Sequence, residues 1–520
     1  MILINPPVVK PSEPPPGIAK LSGALHIHGI RHHIIDANIE GLYYLLGKAG
    51  DFPFPLHFDK GALHDTWTRR ALRNLSNNLE GLKRWEIYTN IDRYKRAVMD
   101  VNRILDKFAG GEGIHASLVD YRHKKLTPLR SSDLLYAADH PEENPFYLYF
   151  HNRLNEAIDH ADSPCIGFSL NYLSQALTTF AMIGFLKRRS PAFKIIVGGG
   201  LVTSWMRSPS WRNPFGGLID HLVAGPGEAN LLALLGKETK MTGHCAPRYD
   251  SFLEGKYLAP GFILPYSTSS GCYWGKCSFC PEKAEGNAYA QTHPDSVTDD
   301  LRVLSEQLKP ALIHLTDNAI SPVMMRKIPE NPPASPWYGF ARITPHLADP
   351  DFCSALKRSG CVMLKLGLES GSQDVIDFMN KRIDLKIAVK ALKNLKIAGI
   401  GTYVYLLFGT PAETEASARK TLDFVAAQAD YIDFMNIAVF NMPVNSPDAK
   451  HLITNVFYEG DLSLYTDFKH VKGWGRRQVR QFLDREFKKH PAIRPILRRN
   501  PPLFTSNHAP LFSIKHSNKV

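Results

Sequence analysis

Long apolar runs are missing from this chain of 520 residues, and no stretch approaches the roughly 20 uninterrupted apolar residues that cross a bilayer. Cysteine is scarce: the seven present are far too few for a disulfide scaffold and ordinary for a reducing compartment. The start, Met1-Ile-Leu-Ile-Asn5, lacks a basic segment followed by an apolar run and a small-residue cleavage site, so export has no support and a cytoplasmic home is expected. Acidic residues are outnumbered, 50 against 62 Lys and Arg, leaving a net charge of +12. That balance leaves open a nucleic-acid, membrane-surface or acidic small-molecule partner. The densest basic patch comprises Arg476, Arg477, Arg480, Arg485, Lys488, Lys489, Arg494, Arg498 and Arg499. Its plain reading is solvated helix faces, and a phosphate-bearing or lipid surface is the alternative.

The length exceeds one ordinary hydrophobic core and implies two or three domains. Residues 1–235 read as an α/β domain. Short apolar strands at Ile2–Ile4, His33–Asp36, Cys165–Ser169, Lys194–Val197 and His221–Ala224 alternate with helices at 17–28, 174–188 and 229–235. Strands of continuous apolar character separated by helices predict a doubly wound, Rossmann-like parallel sheet covered on both faces. A long insertion at 41–150, with helices at 67–85 and 91–108, interrupts it. Its Trp67, Trp85, Tyr88, Tyr94 and Tyr121 could line an apolar cavity or form a private core. Residues 236–262 read as a linker. Six strand–helix repeats over 263–445 predict a partial barrel, with strands at 261–265, 311–315, 337–342, 362–366, 402–408 and 431–439. Residues 446–520 read as a small C-terminal helical extension, helical around 476–490, with a tail whose last dozen residues are expected to be disordered.

Ligands of parallel sheets bind beyond the C-terminal strand ends, which makes the residues there the candidates. In the first domain these are Asn5, Asp36, Ser169 and Asn171, Gly198, Gly199 and Gly200, and the Gly225-Pro-Gly227-Glu228 turn. In the barrel they are Asp317, Arg342, Glu369 and Ser370, and the turn containing Gly409 and Pro411. Directly after the first barrel strand comes Cys272-Tyr-Trp-Gly-Lys-Cys277-Ser-Phe-Cys280, which gathers three of the seven cysteines. Three thiolates on one loop can hold an iron–sulfur cluster and leave one iron free. A tetrahedral zinc site needs a fourth ligand that the neighbourhood does not offer. The loop alone leaves a cluster, zinc and chance all open.

The loop and the polar strand ends after it resemble, in order, the radical S-adenosylmethionine (radical SAM) superfamily, with four residues rather than the usual three between the first two cysteines. The resemblance implies a [4Fe-4S] cluster on Cys272, Cys277 and Cys280 and binding of S-adenosylmethionine at its free iron. Electron transfer then cleaves the sulfonium bond to give a 5′-deoxyadenosyl radical. Phe279 matches a residue near the adenine and Arg342 an arginine of the cofactor pocket. Glu369 matches a carboxylate that bonds the ribose or amino group, and the Gly409 turn one that lies against the adenine; Lys381 matches a basic position nearby. An α/β domain ahead of such a barrel resembles the cobalamin-binding class of these enzymes.

No Asp-x-His-x-x-Gly sequence supplies a histidine to cobalt, although His26, His28, His32 and His33 cluster near the first helix. If cobalamin binds, Ser169–Tyr172 and Gly198–Gly200 are the expected contacts, because small residues let the backbone approach a large planar ligand. The class implies methylation of an unactivated carbon of a small-molecule or lipid-like substrate. Radical rearrangement, cyclisation, carbon–carbon chemistry, or modification of a peptide or RNA are the alternatives. An electron donor such as flavodoxin or ferredoxin is the implied partner. No recognisable RNA-binding module follows the barrel, so a nucleic-acid partner is not expected.

Overall fold

The protein is described from a computed structural model, which covers residues 1–47, 65–110, 113–159, 165–237, 244–252, 256–456, 459–502 and 508–517. Parts of the expected insertion, linker and tail therefore lie outside the described residues. The chain divides into two compact units, Met1–Gly261 with Tyr458–Ser463, and Phe262–Phe457 with Leu464–Val520.

The first unit is built on a five-stranded sheet: β1 Ile2–Ile4, β2 His33–Ile35, β3 Cys165–Ser169, β4 Lys194–Gly198 and β5 His221–Val223. Its order is β2-β1-β3-β4-β5 and every pairing is parallel. All five residues of β3 are buried, as a strand covered on both faces requires. In this order the chain leaves β1 in opposite directions, towards β2 and towards β3. The resulting crevice, beyond the carboxyl ends of β1 and β3, is where such sheets take ligands.

The insertion has a core of its own. Tyr88 and Tyr94 are buried with ring centroids 5.1 Å apart, and Tyr121 meets Phe146 edge to face at 6.3 Å. Trp67 donates to Asp100 (2.8 Å), which also accepts from Arg70. The expected single helix at 67–85 is two, Thr66–Arg73 and Leu75–Leu82, because Asn74 ends one and begins the other. A hairpin, Ile114–Ala116 with Tyr121–His123, follows the helix Ile91–Phe108.

The second unit carries a six-stranded, wholly parallel sheet: β6 Ile263–Tyr266, β7 Leu312–Leu315, β8 Trp337–Ala341, β9 Cys361–Glu369, β10 Gly401–Phe408 and β11 Phe434–Val439, paired in that order. Three of the intervening helices, Pro294–Leu308, Pro322–Glu330 and Pro350–Arg358, start on proline, where the missing N–H is an orphan in any case. The helix Pro322–Glu330 escapes sequence reading because Pro329 sits inside it.

Inside the sheet's curve His314 stacks on Tyr338, with centroids 4.6 Å apart. Buried Lys365 places Nζ 3.1 Å from His314 Nε2 and over the rings of Tyr338 and Phe340. The C-terminal helix His508–Ser517 brings His508 to 3.9 Å from the Tyr403 ring. This helix occupies a region expected to be a disordered tail. The extension also holds a small sheet of Met442–Pro443, Tyr465–Phe468 and Thr454–Asn455. Part of its basic patch is spent internally: Arg476 donates to Phe440 O, and Arg499 donates to Ile432 O and Asp433 O.

The tightest helix approach in the first unit is at Gly184, where a Cβ would lie 1.9 Å from the Ala138 carbonyl oxygen. Gly184→Ala is therefore expected to lower unfolding stability by about 1–3 kcal/mol. A chemical-denaturation midpoint indistinguishable from wild type would contradict this packing.

Candidate active site

At the carboxyl end of β6 the chain enters the cysteine loop under tight backbone control. Gly271 is left-handed, φ 71°, and a Cβ there would sit 2.5 Å from Ala288 O, so only glycine lets the loop turn. Asp317, just past β7, fixes the root of the loop. Its carboxylate accepts from the Thr268 and Ser269 hydroxyls (2.7 and 2.6 Å) and from Thr268 N. Burial pushes this carboxyl above its ordinary range, against those bonds. Asp317 is thus a brace for the loop in this structure.

Cys272 lies close enough to bear electrostatically on Cys277, and both bear on Cys280. Burial pushes Cys277 up, with Lys381 and Arg342 pulling the other way. It pushes Cys280 up to about 11, offset by the backbone N–H groups of Glu282 and Lys283 directed at its sulfur. Arg342 Nη1 lies 3.9 Å from Cys277 Sγ, and its guanidinium stacks 4.1 Å from the Trp274 ring centre. Nη2 donates to Lys381 O at 2.5 Å. Trp274 in turn donates to Asn380 O (3.0 Å), and Ser278 N donates to Met379 O.

Lys381 closes the arrangement: Nζ is 2.8 Å from Glu369 Oε1 and 5.5 Å from the Phe279 ring centre. Phe279 packs against Val375, Met379 and Ala412. The backbone is strained here. Glu369, Asn380 and Arg382 have φ of 68°, 54° and 48° without being glycine, a conformation that surrounding contacts must hold.

The donor chemistry fits a cluster held by three thiolates. They sit on one loop, faced by backbone amides and by two cations that offset thiolate charge. Among the described residues, no group of three or more His, Cys, Asp or Glu side chains closes around a single metal ion. Ser370 is fully buried and bonds Thr421 Oγ1 at 3.1 Å, supporting the turn beyond Glu369. Gly409, φ 82°, donates its N–H to Glu413, and Pro411 is buried in the same turn.

In the first unit the sheet-end residues divide into bracing and open groups. Asn5 donates to Asp36 Oδ1 (2.8 Å), Tyr257 donates to Asp36 Oδ2 (2.5 Å), and both Asn5 and Asp36 are buried. Gln175, wholly buried, spans the crevice between β1 and β3. It donates to Pro6 O (2.8 Å) and accepts from the amides of Asn171 and Tyr172. Asn171 donates to the Ser169 hydroxyl and accepts from Gly200 N. Glu228 pairs with Lys20 at 2.9 Å, and Gly227 lies against Leu21.

What remains open is backbone. Gly200 is exposed and a Cβ there would meet nothing nearer than 3.7 Å, while Gly225 has nothing within 4 Å. Beside them Tyr172 is 54% exposed. An uncluttered glycine edge fits a large planar ligand. Gly199 instead serves the turn itself, since at φ 114° its Cβ would be 2.4 Å from Leu170 O. His32 bonds Ser22 and Ile30 O, and His33 begins β2, at the edge away from the crevice.

Residues 266–425 match the Radical SAM superfamily. The chain carries a radical SAM domain. Among curated proteins it is 25% identical over 199 residues to an uncharacterised methyltransferase of Pyrococcus horikoshii, covering 36% of this chain and 42% of that one. It is 28% identical over 170 residues to bacteriochlorophyllide d C-12(1)-methyltransferase of Chlorobaculum tepidum, covering 31% and 37%. The chain thus spans less than half the length of these relatives.

Among solved structures it resembles the radical S-adenosylmethionine methyltransferase TsrM of Kitasatospora setae, solved with cobalamin and a [4Fe-4S] cluster bound. The TM-score is 0.52 at 15% identity, over 87% of this chain and 77% of that one. The likeness is one of fold: an α/β domain built on a parallel sheet, followed in the chain by a parallel-stranded barrel. Among the described residues no helix is long and apolar enough to cross a membrane.

Sequence reasoning missed Gln175 and Tyr257. Gln175 could have been flagged as a polar residue in an otherwise apolar helix, Leu173–Arg189. Tyr257, in the expected linker, carries no such signal.

Burial pushes the Asp36 carboxyl up to about 6, while Tyr257 and Asn5 pull it down. Between pH ~4 and 6 the folded protein then holds a proton that the unfolded chain has released, so stability falls as pH rises through this window and is level above it. The change is at most about 3 kcal/mol. Asp36→Asn should flatten this slope in denaturation curves taken across the window. In the barrel, Lys381→Met leaves the mostly shielded Glu369 carboxylate, 12% exposed, without its partner and should lower stability by about 3 kcal/mol. Adding Glu369→Gln should recover part of the loss, and additive effects would mean that the pair is not coupled.

Proposed function

We propose that this chain is a cobalamin-dependent radical SAM enzyme that cleaves S-adenosylmethionine reductively and methylates an unactivated carbon of a small-molecule or lipid-like substrate. The observation that carries the reading is the convergence of Cys272, Cys277 and Cys280 with Arg342, Lys381 and Glu369 at the carboxyl ends of β6, β8 and β9. Held by the thiolates of Cys272, Cys277 and Cys280, a cluster would supply the electron that breaks the sulfonium bond, and cobalamin in the first unit would supply the methyl group. Two curated relatives named as methyltransferases support methyl transfer as the outcome, and a relative named as a cyclase, 26% identical over 153 residues, supports ring-forming chemistry as the second reading.

The protein's own residues then have distinct roles. Arg342 and Lys381 offset the negative charge that gathers on the cysteine loop. Glu369, positioned by Lys381, offers a carboxylate at the end of β9 to the donors of S-adenosylmethionine. Phe279 and Ala412 form an apolar wall, and the Gly409 turn lies on the adenine side. In the first unit Gly200, Tyr172 and Gly225 present the corrin surface, while Gly199 makes the turn and Asn5, Asp36 and Gln175 hold the crevice in shape. The hard chemistry belongs to the bound groups; the chain orients them and excludes water. A reducing, cytoplasmic compartment and a flavodoxin- or ferredoxin-type donor suit such chemistry.

The test is anaerobic reconstitution of the full chain with iron, sulfide and hydroxocobalamin, removal of unbound ligand, and an ultraviolet–visible spectrum. Cluster absorbance, stoichiometric corrin, and 5′-deoxyadenosine formed from S-adenosylmethionine under reduction are expected. The triple variant Cys272→Ala/Cys277→Ala/Cys280→Ala should lose the cluster and the cleavage yet keep corrin. A cluster without retained corrin would remove methylcobalamin from the mechanism.

A further inference from the structure

The C-terminal extension makes an ordered set of contacts with one barrel turn. His470 Nε2 is 2.9 Å from Thr410 O, Lys472 Nζ is 2.8 Å from Ala412 O, and Trp474 Nε1 is 2.9 Å from Glu413 Oε2. Residues 470–473 form a tight turn, closed by Gly473 N–H to His470 O at 3.1 Å with Gly473 left-handed at φ 71°, and this turn presents the three side chains to acceptors along the barrel turn. The His470 roles are settled by its other nitrogen: Nδ1 accepts from the amides of Lys472 and Trp474, so Nε2 carries the hydrogen and donates. Burial keeps this imidazole below its ordinary range, consistent with a neutral ring.

The same Glu413 oxygen takes Gly409 N–H at 2.5 Å, and Glu413 is wholly buried. On the other side, the helix Arg476–Arg485 sets Val479 against Gly409, where a Cβ would meet it at 3.3 Å. The turn then runs through Ala412, which packs with Phe279 beside Cys280.

We infer that residues 470–474 are a positioning strap for the Gly409–Thr414 turn, so that the S-adenosylmethionine pocket is completed by the C-terminal extension as well as by the barrel. This rests on the proposed function, in which that turn lies against the adenine. His470, Lys472 and Trp474 are positioning residues: they hold backbone and Glu413, not the bound molecule. Without the strap the turn must be ordered when S-adenosylmethionine binds, and that ordering is drawn from binding energy.

The experiment compares wild type, Trp474→Phe, Lys472→Met and, as a control elsewhere in the extension, Lys488→Met, each reconstituted as the full chain. Lys488 pairs with exposed Asp484 on its own surface. The readouts are iron and sulfide per chain, the dissociation constant of S-adenosylmethionine from its perturbation of the reduced cluster's electron paramagnetic resonance signal, and KM and kcat for its cleavage. Trp474→Phe and Lys472→Met should retain the cluster and weaken S-adenosylmethionine about tenfold, as expected for losing one hydrogen bond to the turn. The loss should appear in KM more than in kcat. Lys488→Met should match wild type.

Lys472→Met leaves both bonds to Glu413 in place and decides the question should Trp474→Phe fail to fold. Unchanged affinity in a strap variant with an intact cluster overturns the inference and spares the functional reading. A wild-type chain that neither holds a cluster nor perturbs it with S-adenosylmethionine overturns both.

Discussion

The guanidinium of Arg342 is the contact on which the barrel's active end depends. It is buried, and it meets the Cys277 sulfur, the Trp274 ring and the Lys381 carbonyl at once. A buried cation needs compensating charge, and the cysteine loop is the source of it. When the thiols act as thiolate ligands, Arg342 and the loop each supply what the other lacks. Lys381 repeats the logic one step away, paired with Glu369. The arrangement is a chain of alternating charge across the ends of β6, β8 and β9, with aromatic faces between its members. Removing one member leaves its neighbours largely shielded from water and uncompensated, which accounts for basic residues at positions that are otherwise apolar.

The two units solve the problem of polar strand ends differently. In the first, the polar residues are largely spent on one another. Asn5, Asp36 and Tyr257 form a closed set, and Gln175 stitches the loop after β1 to the loop after β3. The surface left over is glycine backbone and one exposed tyrosine. A ligand there meets shape and backbone rather than charge. In the second unit the strand ends keep their charge and direct it at one loop. A flat macrocycle suits the first kind of surface, and a small zwitterion beside a charged cluster suits the second.

Much of the framework was legible because parallel strands in this chain are short, apolar and bounded by glycine or proline. The strands expected from sequence lie within a few residues of those observed, and β9 runs on to Glu369 past Gly367, where the apolar pattern breaks. The Lys365 side chain is buried against His314 and two rings, a tertiary solution that no local pattern announces. The cysteine loop stood out by its spacing, but that spacing left cluster, zinc and chance open, and only the polar strand ends after it pointed to a cluster. Its supports were not legible: Tyr257 lies in a segment read as linker, and His470, Lys472 and Trp474 lie in one read as helix and tail. Each acts on a partner tens or hundreds of residues away, and hydrophobic periodicity carries nothing about such pairs. Gly200 shows the opposite difficulty. A triple glycine reads as loop, yet the third glycine opens the helix Gly200–Met206, with left-handed Gly199 as its cap.

Strain gives a last reason to treat the barrel's end as one cooperative unit. Three of the four non-glycine residues with positive φ among the described residues are Glu369, Asn380 and Arg382, and such residues cost about 1–3 kcal/mol each. The strand irregularity between Gly367 and Glu369 belongs to the same distortion. It turns the Glu369 carboxylate back over Gly367, where a Cβ would lie 2.6 Å from Glu369 Oε1 and 2.7 Å from Lys381 Nζ. Glycine at 367 is thus what allows the Glu369–Lys381 pair to fold over the strand, and the pair is what holds Glu369 in its left-handed state. Trp274 and Ser278 grip the Asn380 and Met379 carbonyls and Arg342 the Lys381 carbonyl, so the strained segment is clamped by the cysteine loop together with the end of β8. Ordering of that loop and retention of the strain are therefore one equilibrium: whatever fixes the three thiols also fixes the carboxylate at the end of β9.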